Sequence, residues 1–154
     1  MKISLLLFAA LLTGFVPAVQ AGDDIHIHDA WVRAAPPGAT VLAAYLTIDN
    51  HSAQPQVFDG ASSPQFDSVE IHRTEVKNGI ASMSAQPRVA IAAHGRLNFE
   101  PNSYHLMLIG PRQALHADDQ IELRLQFDGH AAQTIHAAVR ADDAPAAGMM
   151  HHHH

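Results

Sequence analysis

Apolar residues recur at every second position along most of this chain, the period of a β-strand with one face on a core. QIELRLQFD places Ile121, Leu123, Leu125 and Phe127 on one face and Gln120, Glu122, Arg124 and Gln126 on the other. VLAAYLTID carries Leu42, Leu46 and Ile48 on a single face, and AQTIHAAVR carries Ile135 and Val139. Turn-forming groups part such runs every ~8–12 residues, the rhythm of an all-β domain. They are Pro36-Pro37-Gly38, Asn50-His51-Ser52, Asn78-Gly79, His94-Gly95, Pro101-Asn102 and Asp128-Gly129. No long segment carries a helical stripe. The pattern predicts an antiparallel β-sandwich or Greek-key barrel of about seven to nine strands, over residues 22–141.

The two ends break this pattern. Residues 1–21, MKISLLLFAALLTGFVPAVQA, combine a cationic start at Lys2 with an apolar run and close on Val19-Gln20-Ala21. That is a secretory leader, with cleavage expected after Ala21 and a periplasmic location for the product. No later run is long enough to span a membrane, so no membrane insertion is expected after cleavage. Residues 142–154 turn small and polar, then end in Met149, Met150, His151, His152, His153 and His154. This tail is expected to be disordered. Four histidines behind an intact leader favour a gene-encoded tail over a tag remnant.

Composition narrows the chemistry. The chain has no cysteine, which removes disulfides, thiolate zinc sites, iron–sulfur clusters and the thiolate-bound blue-copper site. It also argues against a lipid anchor on an N-terminal cysteine. Acidic residues number 15 against 9 basic ones, Lys2 among the latter, which disfavours nucleic acid and anionic membranes as partners. The unusual count is 13 histidines. His26 and His28 alternate with Ile25 and Ile27 as on a solvent face, which leaves a second metal site there a minor alternative. His51, His94, His116 and His130 fall in turn segments, where surface placement is expected.

Two histidines pair with methionines. In YHLMLIG, His105 and Met107 are two apart and share a strand face, with Leu106 and Leu108 on the other. In SVEIHRTEVKNGIASMSA, Asn78-Gly79 is the strongest short hairpin signal. A two-residue turn sets Lys77 opposite Ile80, Thr74 opposite Met83 and His72 opposite Ala85. His72 and Met83 then become diagonal neighbours on the polar face with Glu70 and Thr74, while Val69 and Ile71 point to the core. Each residue alone reads as packing or as a solvated side chain. Together, two imidazoles and two thioethers suit a soft ion, and Cu(I) above all; calcium and magnesium want oxygen ligands.

The spacing His72-x10-Met83-x21-His105-x-Met107 resembles the signature of the periplasmic copper chaperones of the PCuAC type. The likeness runs from about Ile25 to Arg140 and includes DAWVRAAPPGATVLAAYLTIDN, VEIHRTEVKNGIASM and FEPNSYHLMLIGPRQAL. Asn102-Ser103 departs from it, since many relatives have glycines there. The resemblance implies a cupredoxin-like β-barrel with a Cu(I) site near the surface. It also implies delivery of copper to an acceptor, an oxidase subunit or another assembly factor, notably for the CuA centre of cytochrome c oxidase. Trp31 and Tyr45 read as packing residues; Tyr104 reads either as packing or as a shield over the site. The terminal His/Met run is a candidate auxiliary site for Cu(II). A copper buffer or storage protein is the alternative reading. A copper-dependent redox enzyme is a further one, but no acid–base or nucleophile constellation accompanies the four residues, so no enzyme is expected.

Overall fold

Ten strands and no helix make up residues 24–141, the part of the chain that the computed structural model describes. The leader expected over residues 1–21 and the tail expected over 142–154 lie outside the described residues. The strands are β1 (Ile25–Arg33), β2 (Val41–Asn50), β3 (Gln56–Ser62), β4 (Phe66–Lys77), β5 (Ile80–Ala85), β6 (Val89–Ile91), β7 (Arg96–Phe99), β8 (Tyr104–Pro111), β9 (Gln120–Phe127) and β10 (Gln133–Arg140). They form one sheet in the order β5-β4-β8-β7-β2-β1-β10-β9-β3-β6. One hydrophobic cluster draws buried side chains from every strand except β5, so the sheet wraps around a single core as a sandwich does.

The strand count exceeds the expected seven to nine because β6 and β7 are three and four residues long, too short to show a period. Pairing is antiparallel except where β1 meets β10, with Trp31 opposite Ala138 and Val32 opposite Val139, and at the single pair Phe99–Tyr104. The alternation of β9 is as predicted: Ile121, Leu123 and Leu125 are fully buried and Phe127 nearly so, while Gln120, Arg124 and Gln126 are exposed. Each such side chain contributes roughly 1.5–3 kcal/mol by leaving water.

Three local features place the candidate residues. The β4–β5 hairpin turns on Asn78 and Gly79, at φ 53° and 76°, both left-handed as a type I′ turn requires. Its register sets His72 opposite Ala85, Thr74 opposite Met83 and Lys77 opposite Ile80, as the sequence predicts. Second, β7 and β8 share one long partner. Leu46–Asp49 pair with β7 and Val41–Ala44 with β8, so residues 100–103 interrupt what is otherwise one continuous strand along β2. Third, that interruption is a tight turn in which Ser103 N–H donates to the Glu100 carbonyl at 3.1 Å and Glu100 N–H to the Tyr104 carbonyl at 2.8 Å. Asn102 sits at φ 67°, a conformation glycine adopts freely and asparagine tolerates best among other residues. The departure from glycine therefore keeps the turn.

Candidate metal centre

On β8 the alternation divides two tasks. Leu106 and Leu108 are fully buried in the core, and His105 and Met107 stand on the opposite face. Pairing with β4 places His105 directly across from His72 and Met107 across from Glu70. Pairing of β4 with β5 adds Met83 beside Thr74, diagonal to His72. Residues directly opposed share a face, as do residues two apart. His72, Met83, His105 and Met107 thus lie on one face of three adjacent strands.

The imidazole rings of His72 and His105 have centroids 5.9 Å apart, tilted by 46°. Metal–imidazole bonds are about 2 Å long, so rings up to roughly 6 Å apart can reach one ion. Both rings are held by their other nitrogen. His72 Nε2 lies 2.8 Å from the Glu70 Oε2 carboxylate oxygen, and His105 Nδ1 lies 3.2 Å from the Ser103 carbonyl. Ser103 is fixed in turn, since its carbonyl also accepts from Thr74 N–H at 3.0 Å. His72 Nδ1 is buried and has no hydrogen-bond partner. An orphaned buried nitrogen is costly in a packed interior, and a metal ion would satisfy it. His105 is only 7% exposed, whereas Met83 is 54% exposed; the set is closed at the imidazoles and open at one thioether. Two neutral imidazoles and two thioethers can hold a soft ion without adding charge.

Glu70 and Ser103 were not among the residues that sequence singled out. The signal for Glu70 was present: a carboxylate two positions before a strand histidine shares its face. Ser103 acts through its main chain, which no side-chain pattern announces. Tyr104 resolves to packing. Its ring lies on the face opposite His105, 6.0 Å from the Phe99 ring and 5.3 Å from the Arg73 guanidinium. The Trp31 and Tyr45 rings pack with centroids 4.7 Å apart, tilted by 38°, as expected of packing residues. His130 departs from the expectation of a surface position. It is half-buried, with Nε2 2.6 Å from Gln56 Oε1. A cleft of about 530 Å³ between residues 35–42 and 110–116 holds none of the four candidates.

His26 and His28 form a different kind of cluster. Their rings are 5.6 Å apart, and His51 lies 6.4 Å from His26. His28, however, has both nitrogens committed, Nδ1 to Asp29 at 2.8 Å and Nε2 to Asp49 at 3.0 Å. Arg96 also donates to Asp49. Among the described residues no group of three or more His, Cys, Asp or Glu side chains is placed to hold a metal ion. The Asp29 and Asp49 hydrogen bonds raise the His28 pKa above 6.5. The Arg96 guanidinium, with help from His28, holds Asp49 at about 2 instead of 3.8.

These two shifts have opposite signs. A depressed carboxylate stabilises the fold above its ordinary pKa and loses that contribution as pH falls toward the folded value. Stability is therefore expected to decline between about pH 4 and pH 2 as Asp49 is protonated. The His28 contribution is complete below its ordinary 6.5 and fades as pH rises through the raised value. Asp49→Asn is expected to flatten the acid limb. Denaturant midpoints of both proteins from pH 2 to 8 check this; parallel acid limbs would rule Asp49 out as their source.

Known proteins share this architecture. The family model described as "Putative lipoprotein LpqE-like" matches residues 25–139. The "Putative lipoprotein Lxx21020" of Leifsonia xyli is 31% identical over 125 residues, 80% of this chain and 74% of its own. Among solved structures, the apo PmoF2 PCuAC domain is 26% identical, with a TM-score of 0.65 over 79% of this chain and 93% of its own. CuI-DR1885 of Deinococcus radiodurans is 30% identical, with a TM-score of 0.55 over 73% of this chain and 74% of its own. With its all-β architecture and a match that spans nearly the whole described domain, the chain belongs to the LpqE-like family and has the cupredoxin-like fold of the PCuAC domains.

Proposed function

We propose that this protein is a copper chaperone of the cell envelope. It binds one Cu(I) through His72, Met83, His105 and Met107 and passes it on by ligand exchange. The observation that carries this reading is the pair of imidazoles in cross-strand register, one with a buried and partnerless Nδ1, on the face that also carries both methionines. Support comes from DR1885, 30% identical and solved with CuI. An exported location is supported by relatives described as lipoproteins and by the leader-like residues 1–21.

Transfer needs a ligand that can be given up first. Met83 fits that role, because it is a neutral donor on an edge strand whose six residues are all exposed. An acceptor donor atom can replace it before the buried His105 lets go, so no bare ion is released. An acceptor with thiolates binds Cu(I) more strongly than thioethers do and draws transfer forward. The CuA centre of cytochrome c oxidase is an acceptor of that kind and is the proposed destination. Cu(I) is cargo in this scheme, and no catalysis is involved.

The proposal assigns the tail a separate task. Met149, Met150 and His151 to His154 capture Cu(II), which imidazoles bind well. An external one-electron reductant, such as a periplasmic thiol or electron carrier, converts it to Cu(I), which then enters the folded site. Protons compete for imidazole, so tail-bound Cu(II) is expected to be lost as pH falls through about 6. Thioethers do not titrate there, and the folded site is expected to keep Cu(I) to lower pH. The test is paired titration, at pH 7.5 and 5.5, of the chain from Gly22 with and without residues 149–154. One Cu(I) per chain is expected in both, with pH-sensitive Cu(II) uptake in the longer protein only. Unchanged Cu(II) uptake after truncation would remove the tail from the scheme. Absence of Cu(I) uptake in both would remove the folded site.

A further inference from the structure

We infer that Glu70 is a positioning residue that makes Nδ1 of His72 the metal-donating nitrogen, while His105 donates through Nε2. This inference rests on the copper(I) reading of the same face and goes beyond it, because it assigns donor atoms and a supporting carboxylate.

A carboxylate can only accept hydrogen bonds. With Glu70 Oε2 at 2.8 Å, the proton of a neutral His72 ring belongs on Nε2. The lone pair then belongs on Nδ1, the atom that is buried without a partner. At His105 the arrangement is reversed. The Ser103 carbonyl, 3.2 Å from Nδ1, also only accepts, so Nδ1 carries the proton and Nε2 the lone pair. The two rings stand in register across β4 and β8, so the two lone pairs arise on neighbouring strands of one face.

Glu70 is well placed for this work. It is two residues before His72 on the same strand face, and its backbone is paired with Met107. The register that builds the ligand face therefore also delivers the carboxylate. Its side chain is half-exposed, so its replacement removes no core packing. A carboxylate behind an imidazole fixes ring orientation and raises the basicity of the far nitrogen, and loss of such a partner typically weakens metal binding by roughly 10–100-fold. Gln keeps a carbonyl oxygen that can accept from Nε2–H, whereas Ala keeps nothing.

The test is long-range ¹H–¹⁵N correlation spectroscopy of histidine-labelled protein, metal-free and Cu(I)-loaded, for the parent, Glu70→Gln and Glu70→Ala. In the metal-free parent and Glu70→Gln, His72 is expected to be protonated at Nε2; in Glu70→Ala the two tautomers should mix. On loading, the His72 Nδ1 and His105 Nε2 resonances should move while the other nitrogens keep their protons. Cu(I) affinity should fall about 10-fold in Glu70→Ala and stay within about threefold in Glu70→Gln. A metal-free parent protonated at Nδ1 of His72, or Glu70→Ala with unchanged tautomer and affinity, overturns the role of Glu70. Copper-induced movement of His72 Nε2 overturns the donor assignment. No copper-induced change at any histidine overturns the copper reading itself, and the donor assignment with it, whereas the metal-free spectra still judge Glu70 separately.

Discussion

Replacing Met107 with alanine is expected to weaken Cu(I) binding by on the order of 100-fold, because a direct ligand matters at least as much as the supporting partners whose loss costs a metal site roughly 10–100-fold, and to leave the domain folded. A factor of 100 corresponds to about 2.7 kcal/mol. Met107 lies on β8 between two fully buried leucines, but its own side chain points away from the core they fill. Its removal deletes half of the soft-donor set and little of the packing. Met83 is more exposed and more easily given up, so Met83→Ala should weaken Cu(I) less, by about 10-fold on the same scale. Competition with a chromophoric Cu(I) chelator measures both, and circular dichroism monitors the fold. If Met107→Ala melts the domain and spares the affinity, Met107 is a packing residue after all.

Leu106→Ala, one position away, is expected to do the reverse. Leu106 is fully buried, and deleting a buried leucine typically costs about 2–5 kcal/mol because the cavity left behind does not fully collapse. Domains of this size are stable by only about 5–15 kcal/mol, so a fall in melting temperature of roughly 10 °C is expected. At low temperature the variant should still take up one Cu(I), since its hydrogen-bonded neighbours β4 and β2 hold β8 on both sides and the ligand face is untouched. Thermal unfolding and a Cu(I) titration at 10 °C separate the two effects. Loss of stoichiometric binding in a folded Leu106→Ala protein would mean that the faces of β8 are not independent.

The contrast between these neighbours marks what the sequence made legible. Strand alternation and the Asn78-Gly79 turn are local signals, so the β9 core face and the β4–β5 register could be read directly, and with them the placement of His72 beside Met83. The pairing of His72 with His105 joins segments 33 residues apart, and no local pattern encodes it. The parallel contact of β1 with β10 and the division of β2 between β7 and β8 escaped for the same reason. His28 looked like a solvent-facing residue because its partner Asp49 lies on another strand. His130 was misplaced because Gln56, which holds it, is 74 residues away. At the candidate site the proposed ligands were visible in the sequence and the groups that support them were not. Ser103 contributes a main-chain carbonyl, and Glu70 acquires meaning only when its distance to His72 is known.

The ligand set itself is the central claim, and copper K-edge X-ray absorption of the Cu(I)-loaded chain tests it most directly. Two nitrogen and two sulfur neighbours around a single reduced copper are expected, with one sulfur lost in Met107→Ala. In a chain without cysteine, sulfur at the metal can come only from methionine. A spectrum with nitrogen and oxygen neighbours alone would contradict the account.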